Sequence, residues 1–137
     1  MDKLVTARRQ IVDICRKHEV RFLALFGSRA LGAEKARDVD LAASFGRQIS
    51  AREELVFFCE MVRALATDRL DVVVLDKADP VLLKEVAIHG KPLYEKQPGA
   101  FDEFIMNAIA EYQDTKENRR IAGKLVDEFL REHGRGA

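Results

Sequence analysis

A chain of 137 residues, 47% apolar and 34% charged, has the size and composition of one folded unit and argues against a disordered protein. Its 23 basic and 23 acidic residues cancel, so no global positive field draws it onto nucleic acid, and direct nucleic-acid binding is not expected. No apolar run is long enough to span a bilayer and the N-terminal segment lacks a signal-peptide core, so the expected setting is the cytoplasm, without membrane. Cys15 and Cys59, far apart and without metal-ligand spacing, read as buried free thiols.

In chain order, residues Lys3 to His18 carry an apolar stripe of Leu4, Ala7, Ile11, Ile14 and Cys15 and predict an amphipathic helix. Val20 to Phe26 is short, apolar and aromatic, a buried strand stopped by Gly27-Ser28. A second strand runs over Asp38 to Ser44. Ser50, with Glu53 three residues on, forms a capping box for a helix over Ala51 to Ala66. Arg69 to Leu75 is β-branched and predicts a third strand. Asp79-Pro80 opens a helix that ends near His89-Gly90, with Gly90 expected in the left-handed cap conformation. Lys91 to Glu95 adds an edge strand. From Pro98 the chain reads as helix to about Glu132, in two apolar stripes separated by the polar stretch Gln113 to Arg120. The sum is an α/β (α+β) fold: a mixed sheet flanked by helices, with a long C-terminal helical arm. It is expected to be one domain over 1–137, with a catalytic core over about 1–97 and the arm over about 98–133.

The chemistry concentrates in three places. Alternate side chains of a strand share a face, so Asp38 and Asp40 point one way while Val39 and Leu41 point into the core. Two aligned carboxylates repel unless something positive lies between them, and a hard divalent cation such as Mg²⁺ takes oxygen ligands. Asp71, on the next apolar strand, supplies a third carboxylate if the two strands are neighbours. Gly27 and Ser28 lie in a loop whose amides can approach a phosphate, and Arg29 is placed to reach its oxygens. Two metal ions clamping the attacking and leaving oxygens would make a site for phosphoryl displacement. His18, His89 and His133 sit near helix ends with no recognisable partner spacing, and Tyr94 and Tyr112 read as packing residues.

Taken in order, Leu25-Phe26-Gly27-Ser28-Arg29-Ala30, Asp38-Val39-Asp40-Leu41 and Leu70-Asp71-Val72-Val73-Val74 resemble the DNA polymerase β-like nucleotidyltransferase superfamily. Val81 to Glu95 and the helical C-terminus are similar to the minimal nucleotidyltransferases, MNT, which pair with HEPN proteins in toxin–antitoxin systems. The resemblance implies an antitoxin that moves AMP from ATP to a tyrosine of a HEPN ribonuclease toxin. It implies that Gly27 and Ser28 hold the triphosphate, that Asp38 and Asp40 bind two Mg²⁺ ions, and that Asp71 completes one metal site and helps activate the tyrosine. A hetero-oligomer with the toxin, or a homodimer, is the expected assembly, with Phe104, Ile109, Tyr112, Leu125, Phe129 and Leu130 offering partner contacts. The loop from Ser28 to Asp38 is one residue shorter than the family's pattern, which leaves the metal ligands untouched. Two other readings accommodate the same residues: transfer to a small-molecule hydroxyl, and an antitoxin that neutralises by covering its partner without catalysis.

Overall fold

The computed structural model describes residues 3–27, 38–111 and 116–133. Four strands, β1 (Phe22–Phe26), β2 (Val39–Ser44), β3 (Leu70–Val74) and β4 (Lys91–Glu95), form one sheet in the order β3-β2-β1-β4. β1 is antiparallel to β2 and to β4, while β2 and β3 run parallel. A parallel pair needs a crossover, and α3 (Ala51–Leu65) provides it. The sheet is therefore mixed, as the order of elements predicts.

Both faces of the sheet are covered. Leu23, Leu25, Val39, Leu41 and Ala43 face α2 (Arg8–Lys17) and α3, where Ile11, Cys15, Phe57, Met61 and Leu65 close the larger core. The alternate residues, Phe22, Ala24 and Ala42, face α4 (Pro80–His89) and α5 (Ala100–Glu111), where Val86 and Phe101 complete a second core. Phe22, Phe101 and Phe104 meet there with ring centroids 5.2–5.8 Å apart. This alternation decides the site, because Asp40 lies between Val39 and Leu41 and so belongs to the α4/α5 face.

The capping residues act as expected, with two corrections. Ser50 Oγ accepts from the Glu53 amide at 3.1 Å and Asp79 Oδ1 from the Leu82 amide at 2.9 Å, starting α3 and α4. Only half of the capping box is used for that purpose, because the Glu53 carboxylate is drawn to both guanidinium nitrogens of Arg47, at 2.9 and 3.1 Å. Gly90 is not left-handed: its φ is −71° and ψ 150°, an extended conformation leading straight into β4. Its missing side chain serves packing instead. A Cβ there would lie 2.4 Å from the Val86 carbonyl oxygen and 3.1 Å from the Phe101 ring.

Three other expectations are revised. The N-terminal helix is interrupted at Ala7, dividing it into α1 (Lys3–Thr6) and α2. Cys15 is buried, which pushes its thiol up to about 12, but Cys59 is exposed on α3. His18 is only 7% exposed and has partners invisible in the sequence. Its Nε2 lies 2.5 Å from Glu60, which Lys17 also engages, and its carbonyl accepts from Arg47 at 2.9 Å. This network ties the end of α2 to α3.

The C-terminal helical arm consists of α5 and α6 (Lys116–His133). Residues 112–115, including Tyr112, lie outside the described residues. Ile109 of α5 packs with Ala122 and Leu125 of α6, against Ile88 of α4. Ile109 and Leu125 are therefore internal, contrary to the expectation that they reach a partner. Phe104 packs on Phe22, and Phe129 stacks on His133 at 4.4 Å. Of the described residues in that expected contact set, Leu130 is the one still widely exposed, at 56%. Among the described residues no helix is long and apolar enough to cross a membrane.

Gly90→Ala is expected to cost about 2–3 kcal/mol, the range for forcing a methyl group against packed backbone. A melting temperature within a degree of the parent's would contradict the contact. The Glu60 carboxyl is held below the usual range by hydrogen bonds from Lys17 and His18, and that of Glu53 by Arg47. A depressed acid stabilises the fold above its unfolded pKa and loses that contribution as pH falls through the folded one. Glu60→Gln is thus expected to melt lower than the parent by roughly 2–5 °C at pH 7. The gap should close as the pH falls through the lowered pKa of Glu60 in the folded state.

Candidate active site

The strands bring the sequence-distant acids together at one end of the sheet. In the parallel β2–β3 pair, Asp40 is opposite Asp71, and Val39 is opposite Leu70. Asp38 immediately precedes β2 and Arg69 immediately precedes β3, and the Val39 amide donates to the Arg69 carbonyl at 2.9 Å. With a period of two, Asp38 and Asp40 on one strand and Arg69 and Asp71 on the next form a two-by-two patch on the α4/α5 face. On the other side of β2, Phe26 is opposite Asp40. Gly27 follows Phe26 directly, so β1, β2 and β3 each deliver one part of the site.

The electrostatics are those of like charges held close together. Asp40 is the half-buried member, and its carboxyl is pushed up by burial, by the charges of Asp71 and Asp38, and by a hydrogen bond with Asp71. Asp38 and Asp71 are exposed. Removing water from an ionised group while placing like charges beside it disfavours the charged form, and a cation reverses the balance.

Gly27 is fitted to this carboxylate. Its φ is +76°, and a Cβ would lie 2.3 Å from Asp40 Oδ2, well inside van der Waals contact. Both the backbone conformation and the proximity require glycine. The glycine of the Gly-Ser loop thus has a second task not evident from the sequence: it leaves room for the central acid. Ser28 and Arg29, the other expected nucleotide contacts, lie outside the described residues.

The donor set suits Mg²⁺ in kind, since all three are hard carboxylate oxygens and the central one is destabilised when ionised. In arrangement it is not closed: among the described residues, no three His, Cys, Asp or Glu side chains are gathered as a ligand set. Asp38 is directed to Arg69, whose Nη1 is 3.8 Å from its Oδ1. The sequence alone does not single out Arg69, which gains its place beside Asp38 only through the pairing of β2 with β3.

Comparison with known proteins decides the family. Residues 9–99, which include every acid of the patch, match the model for the polymerase beta nucleotidyltransferase family. The chain belongs to that family. None of the curated proteins matches this nucleotidyltransferase. Among solved structures it is similar to a chain of a toxin–antitoxin complex with AMP-PNP, at 22% identity and TM-score 0.68, over 90% of this chain and 98% of the other. A chain from the tri-AMPylated Shewanella oneidensis HEPN toxin in complex with MNT antitoxin matches at 22% identity and TM-score 0.66, over 95% and 99%. A chain of the MntA–HepT toxin–antitoxin pair matches at 21% identity and TM-score 0.65, over 92% and 98%. At these identities the likeness is one of fold.

Gly27→Ala is expected to leave a folded protein but to turn the Asp40 carboxylate out of place. Affinity for Mn²⁺ with a non-hydrolysable ATP analogue should fall at least about tenfold, since losing one well-placed charged ligand costs more than 1.4 kcal/mol. Titration calorimetry showing parental affinity would overturn the assigned role of Gly27.

Proposed function

We propose that this nucleotidyltransferase is an antitoxin that transfers AMP from ATP to a tyrosine of a cognate HEPN ribonuclease toxin, and so neutralises it. The observation that carries the proposal is the register pair of Asp40 with Asp71, flanked by Asp38 and closed over by Gly27. Three acids on two neighbouring strands, beside a glycine loop, are the parts that hold Mg²⁺ and a triphosphate together. The similar complexes with AMP-PNP and with an AMPylated HEPN toxin support ATP as donor and a HEPN protein as acceptor.

In this reading Asp38 and Asp40 hold two Mg²⁺ ions, and Asp71 completes one of the sites. Held by these carboxylates, Mg²⁺ would supply positive charge to offset that of the triphosphate. Gly27, Ser28 and Arg29 would hold the triphosphate, and the acceptor is the side chain of a partner. The tyrosine oxygen bonds to the α-phosphorus as the bond to the pyrophosphate oxygen breaks, and the tyrosine proton passes to the exposed Asp71 carboxylate. Most of the rate comes from holding donor and acceptor in line. Residues 1–97 would carry this chemistry and 98–133 would form the helical arm. Leu130, exposed on α6, is the described residue of the expected contact set that stays free for the toxin in a hetero-oligomer.

The decisive measurement is the intact mass of the cognate HEPN protein after incubation with this chain, ATP and Mg²⁺. The expected gain is a whole number of adenylyl units, mapped to tyrosine and abolished by Asp38→Ala with Asp40→Ala. An unchanged mass alongside a tight complex would replace transfer by neutralisation through binding. An unchanged mass without a complex would direct the search to small-molecule hydroxyls.

A further inference from the structure

The acid patch carries its own cation. Arg69 occupies the fourth corner of the two-by-two arrangement, on the same strand face as Asp71 and across from Asp38, with Nη1 3.8 Å from Asp38 Oδ1. Its backbone is fixed on both sides: its carbonyl accepts from Val39, and its amide donates to Thr67 Oγ1 at 3.1 Å. The side chain is thereby anchored at its base, and it is 53% exposed, while that of Asp38 is 68% exposed. An exposed pair of this kind is weak and easily exchanged for a better partner.

We propose that Arg69 is a positioning residue that serves as the resident counter-cation of the metal-free site and couples the loading of metal to the loading of nucleotide. Without nucleotide, Arg69 holds Asp38 away from Asp40 and Asp71, and its positive charge opposes the approach of a second cation. When a metal–triphosphate complex arrives, the phosphates offer the guanidinium a doubly charged, planar-matched partner. Arg69 turns to them, Asp38 is released, and the three acids close as one ligand set. A bare divalent ion brings no such exchange partner and must displace Arg69 unaided. The arrangement therefore makes a weak site for metal alone and a strong one for metal with nucleotide.

This inference rests on the reading of Asp38, Asp40 and Asp71 as metal ligands, and the experiment separates the two. Mn²⁺ affinity is measured by electron paramagnetic resonance on the full chain, with and without a non-hydrolysable ATP analogue. For the parent, the analogue should strengthen Mn²⁺ binding markedly. In Arg69→Gln, affinity for Mn²⁺ alone should rise by roughly 3- to 10-fold, the effect of removing one nearby exposed positive charge. The enhancement by the analogue should shrink by at least the same factor. Arg69→Lys, which keeps the charge but loses the planar fork, should stay near the parent for Mn²⁺ alone while recovering only part of the enhancement. An unchanged or weakened affinity of Arg69→Gln for Mn²⁺ alone would overturn the role of Arg69. If Asp38→Ala with Asp40→Ala binds Mn²⁺ as the parent does, the metal-ligand reading itself fails, whatever Arg69 does.

Discussion

The parallel pairing of β2 with β3 governs this molecule's chemistry. It sets Asp40 directly beside Asp71, and a shift by a single residue would send one of the two acids to the opposite face, into the core under α2 and α3. The register is secured from both ends. Val39 is bonded to Arg69 at the acidic end, and at the far end the Asp76 carboxylate accepts from the amides of Phe45 and Gly46, each at 2.8 Å. Between them, Leu41 and Ala42 are fully buried and admit no sliding. A stable hydrophobic framework thus holds like charges together against their repulsion, and the raised Asp40 carboxyl is the visible sign of that opposition.

Seen this way, the two cores have different duties. The larger one, under α2 and α3, locks the strands and supplies rigidity. The smaller one, under α4 and α5, occupies the same face as the acids but leaves their end of the sheet uncovered. Phe22, Ala24 and Ala42 are covered by Val86 and Phe101, whereas Asp38 and Asp71, further along the face, remain exposed. A polar patch beside an apolar layer on one sheet face gives a site that is supported from beneath and accessible from above, as required if the acceptor is another protein.

Much of this was legible in the sequence because it rested on short periods. Alternation around Asp38-Val39-Asp40-Leu41 named the face of each residue, and the β-branched run after Asp71 named the strand. What could not be read were facts of three-dimensional neighbourhood. Gly90 looked like a helix stop because glycine commonly ends helices, but here it answers to the Val86 carbonyl and the Phe101 ring. His18 meets Glu60 across 42 residues, and no spacing rule signals that. Ile109 and Leu125 showed apolar stripes that suit an interface or an internal contact equally well, and only the return of α6 onto α5 distinguishes them. Arg69 was hidden for a different reason: a lone basic residue ahead of a strand is ordinary until the neighbouring strand is known to carry an acid opposite it.

The crossover has a consequence for how the protein comes into being. Asp40 and Asp71 meet only when the chain has passed through all of α3 and β3 has docked alongside β2, an order of events dominated by long-range closure rather than local turns. β1 and β2, an antiparallel pair, can assemble earlier, carrying Gly27 and Asp40 without the partner acid. A copy that stops before β3 therefore lacks Asp71 and carries only part of the acid patch.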